Sequence, residues 1–392
     1  MSLYQQRGVS AQKEEVHAAT RSLDPGLFPK AFCKIYPDYL GNDPNMVNLM
    51  HADGAGTKSI LAYLYWKETG DLSVWKGIAQ DAIVMNLDDL ICTGIYDNIV
   101  FNSTIDRNKR LIPGEVLSAI IEGSEAFFQS MRAFGIHIHY LGGETADVGD
   151  VVRTIAVNGT MTSRWPKQRI ISNERIQAGD VIVGLASDGQ CAYETAYNSG
   201  IGSNGLTSAR HDMLSGYYRT HFSESFDPTL PEAVTYIGQH KLTDAFETSD
   251  GRSTDIGHLL LSPTRTFAPV LKSLLEADFD AIHGLIHCSG GGQTKCLKYI
   301  PDQLRVIKDN LFPIPDVFRL IQAQSGSDHR EMFQVFNMGC RLEVYCDPAK
   351  AGMIQETATQ FGISSRIIGR VEAAPSKELC IQWQNETLVF NG

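Results

Sequence analysis

The chain of 392 residues is long enough for roughly two or three domains, and its 43% hydrophobic and 20% charged residues are ordinary for a globular protein. The formal net charge of −11 argues against non-specific binding to nucleic acid and against docking on an anionic membrane. No apolar leader follows Met1, and no apolar run approaches the roughly 18 residues that a membrane-spanning helix needs. The eight cysteines are scattered through apolar segments without a CxxC pair, which indicates reduced thiols in the cytoplasm and argues against a zinc site.

The first half of the chain predicts a mixture of strands and helices. Gly8, Val9 and Ser10 have the pattern of a turn and a helix cap before a helix over 11–22. Further on, we expect helices over 59–67, 75–93 and 113–133, and strands over 46–50, 95–106, 137–141 and 153–163. This order indicates an α+β layer rather than a series of βαβ units.

A polar stretch over 165–179 marks the expected domain boundary. It separates an N-terminal domain, residues 1–165, from a C-terminal domain, residues 166–392. Residues 210–258 lack regular patterning and predict short helices and loops. The other predicted elements of this domain are helices over 267–276 and 348–361, strands over 181–186, 340–346, 365–371 and 379–383, and a strand or helix end over 281–287.

The octapeptide 51–58, His-Ala-Asp-Gly-Ala-Gly-Thr-Lys, stands where the first of these strands gives way to a helix. Glycines at such a junction let backbone N–H groups approach an anion, and a helix N-terminus favours negative charge. Asp53 can hold a divalent cation, and Lys58 can neutralise a phosphate. An ordinary turn with a surface aspartate and lysine is the alternative interpretation.

A second acidic site, Asp88 with Asp89, lies among apolar neighbours in the predicted helix over 75–93. A carboxylate in such a helix is costly unless it is paired or bound to a metal. Asp53 and Asp89 could therefore share Mg²⁺, with the phosphates of a nucleotide as further ligands. A solvated helix face is the alternative interpretation.

Two glycine-rich segments also carry candidate residues. Residues 142–145, Gly-Gly-Glu-Thr, follow a predicted strand, so Glu144 could join the metal or orient a substrate, although a tight turn is the simpler explanation. Residues 290–292 are three successive glycines, which indicate a backbone nest for a phosphate. His287 stands just before them and could act as an acid or base near neutral pH, with a structural histidine as the alternative.

The sequence also lacks several common motifs. There is no G-x-x-x-x-G-K-[ST] pattern, which excludes a P-loop kinase at the level of the motif. Neither a G-x-S-x-G elbow nor a G-x-G-x-x-G pattern after the first strand is present.

Seven short motifs, in order along nearly the whole chain, resemble those of the aminoimidazole ribonucleotide synthetase family, also called phosphoribosylformylglycinamidine cyclo-ligase. They are Asp53 to Lys58 (D-G-V-G-T-K in the family), Asp89-Leu90 with Gly94 (N-D-L…G), 142–146 (G-G-E-T-A), 203–205 (S-N-G), 263–265 (P-T-R), His287 with 290–292 (H-L-T-G-G-G), and Glu331-Met332 with 336–339 (E-M…F-N-x-G). The first three also occur in thiamine-monophosphate kinase and selenophosphate synthetase. The last two are typical of the cyclo-ligase itself.

The resemblance implies an N-terminal α+β domain that dimerises through its sheet, a C-terminal α/β domain, and an active site in the cleft between domains. It implies ATP-dependent closure of formylglycinamidine ribonucleotide to aminoimidazole ribonucleotide in purine biosynthesis, with ATP and Mg²⁺, in a cytoplasmic homodimer. The residues that it assigns fall into four groups: catalytic His287, Lys58 and Asp53; nucleotide-binding Asp53, Gly54, Gly56, Thr57, Lys58, Asp89, Gly143, Glu144 and Asn204; substrate-binding Gly290, Gly291, Gly292, Glu331 and Asn337; and metal-binding Asp53, Asp89 and Glu144.

Three departures from the family pattern concern the substrate pocket. Residues 4–10 lack the lysine and both acids of Y-K-D-A-G-V-D, residues 147–150 replace E-M-P-G, and an insertion separates Ser187 from Ser203. Two alternatives therefore stay open. One is a sister ATP-dependent kinase or synthetase that acts on another small molecule, and the other is a non-catalytic, nucleotide-binding paralogue.

Overall fold

The computed structural model describes residues 3–9, 19–20 and 22–392. The helix predicted over 11–22 and its cap at Ser10 lie outside these residues, apart from positions 19, 20 and 22. The strands of the described part are β1 (Tyr36–Pro37), β2 (Met46–Gly54), β3 (Ile99–Arg107), β4 (Ile138–Asp147), β5 (Ile155–Pro166), β6 (Val181–Ala186), β7 (Ala245–Glu247), β8 (Ser253–Asp255), β9 (Gly284–His287), β10 (Leu304–Lys308), β11 (Cys340–Cys346), β12 (Ser365–Ala373), β13 (Glu378–Trp383) and β14 (Glu386–Asn391).

The helices of the described residues confirm those predicted over 59–67, 75–93, 113–133, 267–276 and 348–361, and they add several short ones. They are α1 (Leu3–Gln6), α2 (Lys58–Thr69), α3 (Ser73–Ile91), α4 (Gly114–Arg132), α5 (Leu206–Met213), α6 (Gly216–His221), α7 (Ile256–Leu261), α8 (Ala268–Ala277), α9 (Cys296–Tyr299), α10 (Asp316–Ser325), α11 (His329–Val335) and α12 (Ala351–Gln360). None of the helices in the described residues is long and apolar enough to cross a membrane.

The first sheet has the strand order β1-β2-β5-β3-β4. Its neighbouring strands run antiparallel except for β3 and β4, which are parallel. Successive side chains of a strand point to opposite faces, so Val47 and Leu49 of β2 are buried toward helix α3 while Met50 is 70% exposed on the other face. One face of the sheet therefore carries helices, and the other presents exposed side chains.

Strand β4 corrects the expectation of a tight turn after residue 141. The strand continues to Asp147 and pairs with β3 as far as Arg107. The backbone of Gly142 has a φ of 85°, and the register between β3 and β4 shifts beside Phe101. The Gly-Gly pair thus forms a bulge within a strand, where an extra residue needs a left-handed backbone.

The second sheet has the order β14-β13-β10-β12-β6-β11-β9. Its neighbouring strands are antiparallel, apart from the parallel pair β10 and β13. Residues 210–258 form short helices and loops as expected, with the additional hairpin of β7 and β8. Mixed sheets covered by helices confirm the predicted fold class.

Helix α3 lies where an N-terminal layer, built on the first sheet, meets a C-terminal layer, built on the second sheet. Strands β2 and β5 contact it on one side and helix α8 on the other. Every residue from Asp81 to Ile91 is buried, so the interpretation of a solvated helix face is wrong. A helix that is covered on all sides buries its polar residues together with its apolar ones. Its three aspartates therefore need partners from other segments of the chain.

Candidate functional site

Two aspartates of α3 bind the segment that links helices α7 and α8. The carboxylate of Asp81 accepts hydrogen bonds from the backbone N–H and the hydroxyl of Thr264, at 2.7 and 2.6 Å. The carboxylate of Asp88 accepts one from the Thr266 hydroxyl at 2.5 Å and one from the Phe267 N–H at 3.1 Å. These contacts attach the C-terminal layer to α3 and explain why a P-T-R motif belongs to the site.

Lys58 also binds Asp81 and the segment that links α7 and α8. Its ammonium group lies 3.0 Å from Oδ1 of Asp81 and donates to the carbonyl of Ser262 at 2.5 Å, and the side chains of both ion-pair partners are fully buried. Burial lowers the pKa of Lys58, against the opposing charge of Asp81. The sequence predicts Lys58 as a phosphate ligand. In this structure its side chain instead anchors the start of helix α2 to Asp81 of α3 and to the carbonyl of Ser262.

A buried arginine that sequence reasoning missed lies beside the same helix. Arg341 of β11 is 2% exposed, and its Nη2 lies 3.4 Å from the sulfur of Met85. Burial lowers the pKa of Arg341, while the carboxylates of Asp88, Asp81 and Asp89 act in the opposite direction. The signal available in the sequence was a charged residue, Arg341, inside the strand predicted over 340–346, where Glu343 is the only other charged residue.

The third aspartate of α3 lies at the centre of a polar cluster. Asp89 accepts a hydrogen bond from Nδ1 of His287 at 2.7 Å, and its second oxygen lies 3.4 Å from Nε2 of His51. The thiol of Cys33 lies 3.3 Å from the backbone oxygen of Asp89. Asp89 and His287 were predicted from the sequence, whereas His51 and Cys33 were missed because their segments meet only in the fold.

The environment fixes the charge states of the Asp89–His287 pair. Burial alone would raise the pKa of Asp89, but the hydrogen bond from His287 helps to hold it below the ordinary value. Burial and the nearby charge of Arg341 lower the pKa of His287 to about 4, against the effect of Asp89. His287 is therefore neutral at pH 7, and because Nδ1 donates to Asp89, its Nε2 carries a lone pair. That Nε2 atom is buried and has no hydrogen-bond partner among the described residues.

The first motif lies next to this pair. Asp53 stands two residues after His51 on β2, so both side chains point to the face of the sheet that carries α3. The amide of Asn86 on α3 contacts both residues, at the carbonyl of Asp53 (3.1 Å) and at Nδ1 of His51 (2.9 Å). One carboxylate oxygen of Asp53 accepts the N–H of Gly54 at 2.7 Å.

The junction after Asp53 also reaches the S-N-G segment. The hydroxyls of Thr57 and Thr207 lie 2.6 Å apart, while Gly56 is exposed with a φ of 58°. Asn204 lies beside the triple glycine, because a Cβ atom built on Gly290 would lie 3.6 Å from its Nδ2. Contacts thus connect four predicted motifs, of which the first, the second and the His287 loop meet at Asp89.

Close packing explains why one of the three successive glycines, Gly292, cannot be a larger residue. A Cβ atom on Gly292 would lie 2.4 Å from the carbonyl oxygen of Phe336, so no larger residue fits there. The next side chain, Gln293, donates to the carbonyls of Asn337 and Cys340 at 2.6 and 2.7 Å. Gly290 is exposed, so the phosphate nest stays a prediction for the outer part of this loop.

The structure does not bring Glu144 to Asp89. In the register of the first sheet, Asp53 is opposite Gly159, Gly159 is opposite Ser103, and Ser103 is opposite Gly143. Glu144 is the next residue along β4, so its side chain points to the opposite face of the sheet from that of Asp53. Three strand spacings separate β2 from β4, about 14 Å. Within one chain, Glu144 therefore cannot share a metal ion with Asp53 or Asp89, and this part of the expected metal site is corrected.

Two predicted substrate residues have other contacts. Asn337 is 4% exposed, and its amide binds the Ser187 hydroxyl, the Gly339 N–H and the Gly200 carbonyl, as expected of a satisfied core asparagine. Glu331 lines a water-sized cavity with Asp212. Neither side chain contacts the Asp89–His287 pair in the described structure.

The insertion before Ser203 is ordered and packed. Asn198 donates to Glu194 and to the carbonyl of residue 263, Glu194 pairs with the buried Arg265 at 2.5 Å, and the Tyr193 hydroxyl donates to the carbonyl of residue 266. Together with α3 and α4 it lines an open pocket of about 350 Å³. The insertion therefore braces the same linker that Asp81 and Asp88 bind.

Replacing Lys58 by methionine tests the buried ion pair. Lys58→Met leaves the Asp81 carboxylate buried without its cation, so we expect a loss of about 3–5 kcal/mol in the free energy of unfolding, measured with urea. The matched control is Lys76→Met, which removes an exposed pair with Glu122 and is expected to cost about 1 kcal/mol or less. Equal losses in the two variants would contradict the assignment, and Asp81→Asn in the Lys58→Met background should recover part of the loss.

Asp88 supplies a test based on pH. Burial raises the pKa of Asp88 to about 7, so the folded state keeps a proton that the unfolded state releases near pH 4. Stability from this group is therefore full below about pH 4 and is lost as the pH rises through about 7. Asp88→Asn, which restores the asparagine of the family motif N-D-L, should gain more than about 1.4 kcal/mol over the wild type between pH 5 and pH 8. Asp150→Asn on the surface is the control, and an equal pH dependence of wild type and Asp88→Asn would refute the assignment.

Comparison with known proteins matches both halves of the chain. Residues 39–165 match the N-terminal domain of AIR synthase related proteins, and residues 177–381 match the C-terminal domain. The phosphoribosylformylglycinamidine cyclo-ligase of Methanocaldococcus jannaschii is 30% identical over 82% of this chain and 77% of its own length. The cyclo-ligase of Methanococcus vannielii is 29% identical over 87% of this chain and 82% of its own.

Solved structures share the fold at low identity. The HypE–HypF complex gives a TM-score of 0.56 at 15% identity, covering 98% of this chain and 99% of that one. Thiamine monophosphate kinase of Aquifex aeolicus gives 0.51 at 10% identity over 95% and 96%, and AaThiL, solved with AMPPCP and TMP, gives 0.52 at 10% over 96% and 95%. The predicted family and the prediction of a cyclo-ligase-type enzyme are confirmed by the sequence matches. This chain belongs to the AIR synthase related family, and its curated relatives include phosphoribosylformylglycinamidine cyclo-ligases.

Proposed function

We propose that this chain catalyses the ATP-dependent cyclisation of formylglycinamidine ribonucleotide to aminoimidazole ribonucleotide, with release of ADP and phosphate, in purine biosynthesis. The observation that carries the proposal is the buried Asp89–His287 pair at the meeting point of the family motifs. The names of the curated relatives supply the reaction.

The proposed chemistry has two steps. An amide carbonyl is a poor electrophile, so the γ-phosphoryl group of ATP is first transferred to the amide oxygen, and ADP is released. The internal amine then attacks the activated carbon, a C–N bond forms, and the C–O bond breaks to release phosphate. The amine loses a proton in this step, and the neutral Nε2 of His287 is suited to accept it because its other nitrogen is held by Asp89.

We propose Asp53 and Asp89 as ligands of Mg²⁺, since carboxylate oxygens suit this ion and both side chains lie in the layer between β2 and α3. When bound, the ion would neutralise the phosphates of the nucleotide. Gly54, Gly56, Thr57 and Asn204 are proposed to contact the nucleotide, and residues 290–292 the substrate phosphate. Lys58 is a positioning residue in this proposal, because Asp81 already holds its charge.

The remaining predicted residues receive different roles. We propose that Glu144 faces a second chain, since it lies on the outer face of the first sheet, and that Gly143 contributes by allowing the close approach of β3, because a Cβ atom there would lie 2.2 Å from the carbonyl oxygen of Ser103. Asn337 positions the loop that follows α11, and Glu331 contributes only if a bound substrate reaches its cavity. Seven of the eight cysteines are buried free thiols, which supports the expectation of a reducing compartment such as the cytoplasm.

The same outer face is the basis for a proposed homodimer. Met50 of β2 and Leu141 of β4 are 70% and 65% exposed on it. Large exposed apolar residues on one surface are typical of an interface. We expect two chains per particle in light scattering for the wild type and one for Met50→Lys. The control, Ile121→Lys, lies on α4 on the covered side of the sheet and should leave the dimer intact. A dimeric Met50→Lys protein would argue against this interface.

The first test of the function is ADP release from Mg²⁺-ATP, with and without formylglycinamidine ribonucleotide. We expect release that depends on this substrate, with one aminoimidazole ribonucleotide formed per ADP. ADP release that requires a different small molecule would favour a sister kinase, a class to which the structurally similar thiamine monophosphate kinase belongs by name. ATP binding without turnover would indicate the non-catalytic paralogue.

The same assay tests His287. In His287→Asn the side-chain amide can still donate to Asp89, whereas the lone pair at Nε2 is removed. We expect kcat to fall by about 10²- to 10⁴-fold, with little change in the urea midpoint. The matched control is His283→Asn, whose imidazole pairs with Asp180 at 2.9 Å outside the site and which should keep wild-type turnover. Wild-type kcat in His287→Asn would remove this residue from the mechanism.

A further inference from the structure

The donor atoms around Asp89 are a poor match for magnesium alone. One ligand atom each from Cys33, His51 and Asp89 lies within 4.8 Å of the other two. Magnesium prefers oxygen ligands in octahedral geometry, whereas thiolate and imidazole are typical ligands of Zn²⁺ and of related divalent ions. The cluster therefore combines the carboxylate that the proposed magnesium site needs with two donors that it does not.

Hydrogen bonding fixes the orientation of His51. The amide nitrogen of Asn86 lies within hydrogen-bond distance of three carbonyl oxygens, those of Asp53, Ala82 and Gly159, at 3.1, 2.9 and 3.2 Å, and these can only accept from its two N–H groups. The amide oxygen of Asn86 must then be the atom that faces Nδ1 of His51 at 2.9 Å, so Nδ1 carries the proton. In the neutral imidazole, Nε2 is therefore the acceptor nitrogen.

This orientation brings two acceptors face to face. Nε2 of His51 lies 3.4 Å from Oδ2 of Asp89, and the other oxygen of Asp89 already accepts from His287. Two lone pairs at this distance repel unless a cation, either a proton or a metal ion, lies between them. Asp89 and His51 thus form half of a cation site, and each is oriented by a partner behind it, as metal ligands usually are.

The thiol of Cys33 completes the donor set. Its sulfur lies 3.3 Å from the backbone oxygen of Asp89, and the residue is 7% exposed. A divalent ion bound by one thiolate and one carboxylate has no net charge, which suits a buried position. The thiol proton would pass to solvent as the sulfur–metal bond forms, with no change of oxidation state.

We propose that Cys33, His51 and Asp89 form a binding site for a divalent transition metal of the Zn²⁺ or Co²⁺ class. Three protein ligands leave a coordination position for water or substrate. The inference rests on the proposed function in one respect: because Asp89 is shared, a metal bound here competes with magnesium. The absence of closely spaced cysteine pairs, which argues against zinc in the sequence, does not apply to a site assembled from β2, α3 and the loop that carries Cys33.

Cobalt binding to metal-free wild-type protein tests this site without reference to turnover. We expect one equivalent of Co²⁺ to bind, with a sulfur-to-cobalt charge-transfer band in the near ultraviolet, and with release of at least one proton. Cys33→Ser should lose the band, and His51→Gln should weaken binding by about 10- to 100-fold or more. The control Cys380→Ser, in β13, should keep both the band and the affinity.

A second measurement needs no variant, in case Cys33→Ser fails to fold. X-ray absorption of the Zn²⁺-loaded wild type should show one sulfur neighbour at about 2.3 Å. Failure to bind either ion, a Co²⁺ complex without the band, or a zinc shell without sulfur would each overturn the proposal. Substrate-dependent ADP release is measured separately, so either proposal can fail while the other stands.

Discussion

The structure depends on placing the carboxylates of one fully covered helix against partners from other segments. Asp81 and Asp88 are fully buried on α3 and Asp89 is only 8% exposed, and an unpaired buried charge is too costly for a marginally stable protein. Their partners are Lys58 and Thr264 for Asp81, Thr266 and the Phe267 N–H for Asp88, and His287 for Asp89. Most of these groups belong to the C-terminal layer, so the docking of the two layers and the burial of the helix require each other.

The same constraint sets the chemistry of the site. Burial strengthens each electrostatic interaction and separates the charge states of neighbouring groups: Asp89 stays ionised, while burial and Arg341 keep His287 neutral. A neutral imidazole with one nitrogen held by a carboxylate is suited to accept a proton. Asp89 and His287 therefore join the two layers and also have the proposed catalytic role. Substitutions of these residues must be judged by stability and by turnover together.

Particular residues show how far the sequence could lead. Strand β6, strand β11 and helix α3 were predicted closely because hydrophobic periodicity is a local property. Asp89 and His287 were identified from a costly carboxylate and a glycine-rich loop. The partner of Lys58, the burial of Arg341 and the positions of Cys33 and His51 could not be predicted, since each depends on a contact between segments far apart in the chain. Glu144 was misplaced because the bulge at Gly142 and the sheet register decide which face it occupies.

The sequence by itself determined the family, most of the longer strands and helices, and the candidate residues Asp89 and His287, because these follow from motifs and from local patterns of polarity. Only the tertiary structure decided which charges are neutralised and which donor atoms stand together. It assigned Lys58 to Asp81, turned Glu144 away from Asp53, and brought Cys33 and His51 to Asp89. The physical reason is that pairing and burial arise between distant segments, and a carboxylate acquires its role from the partner that packing supplies.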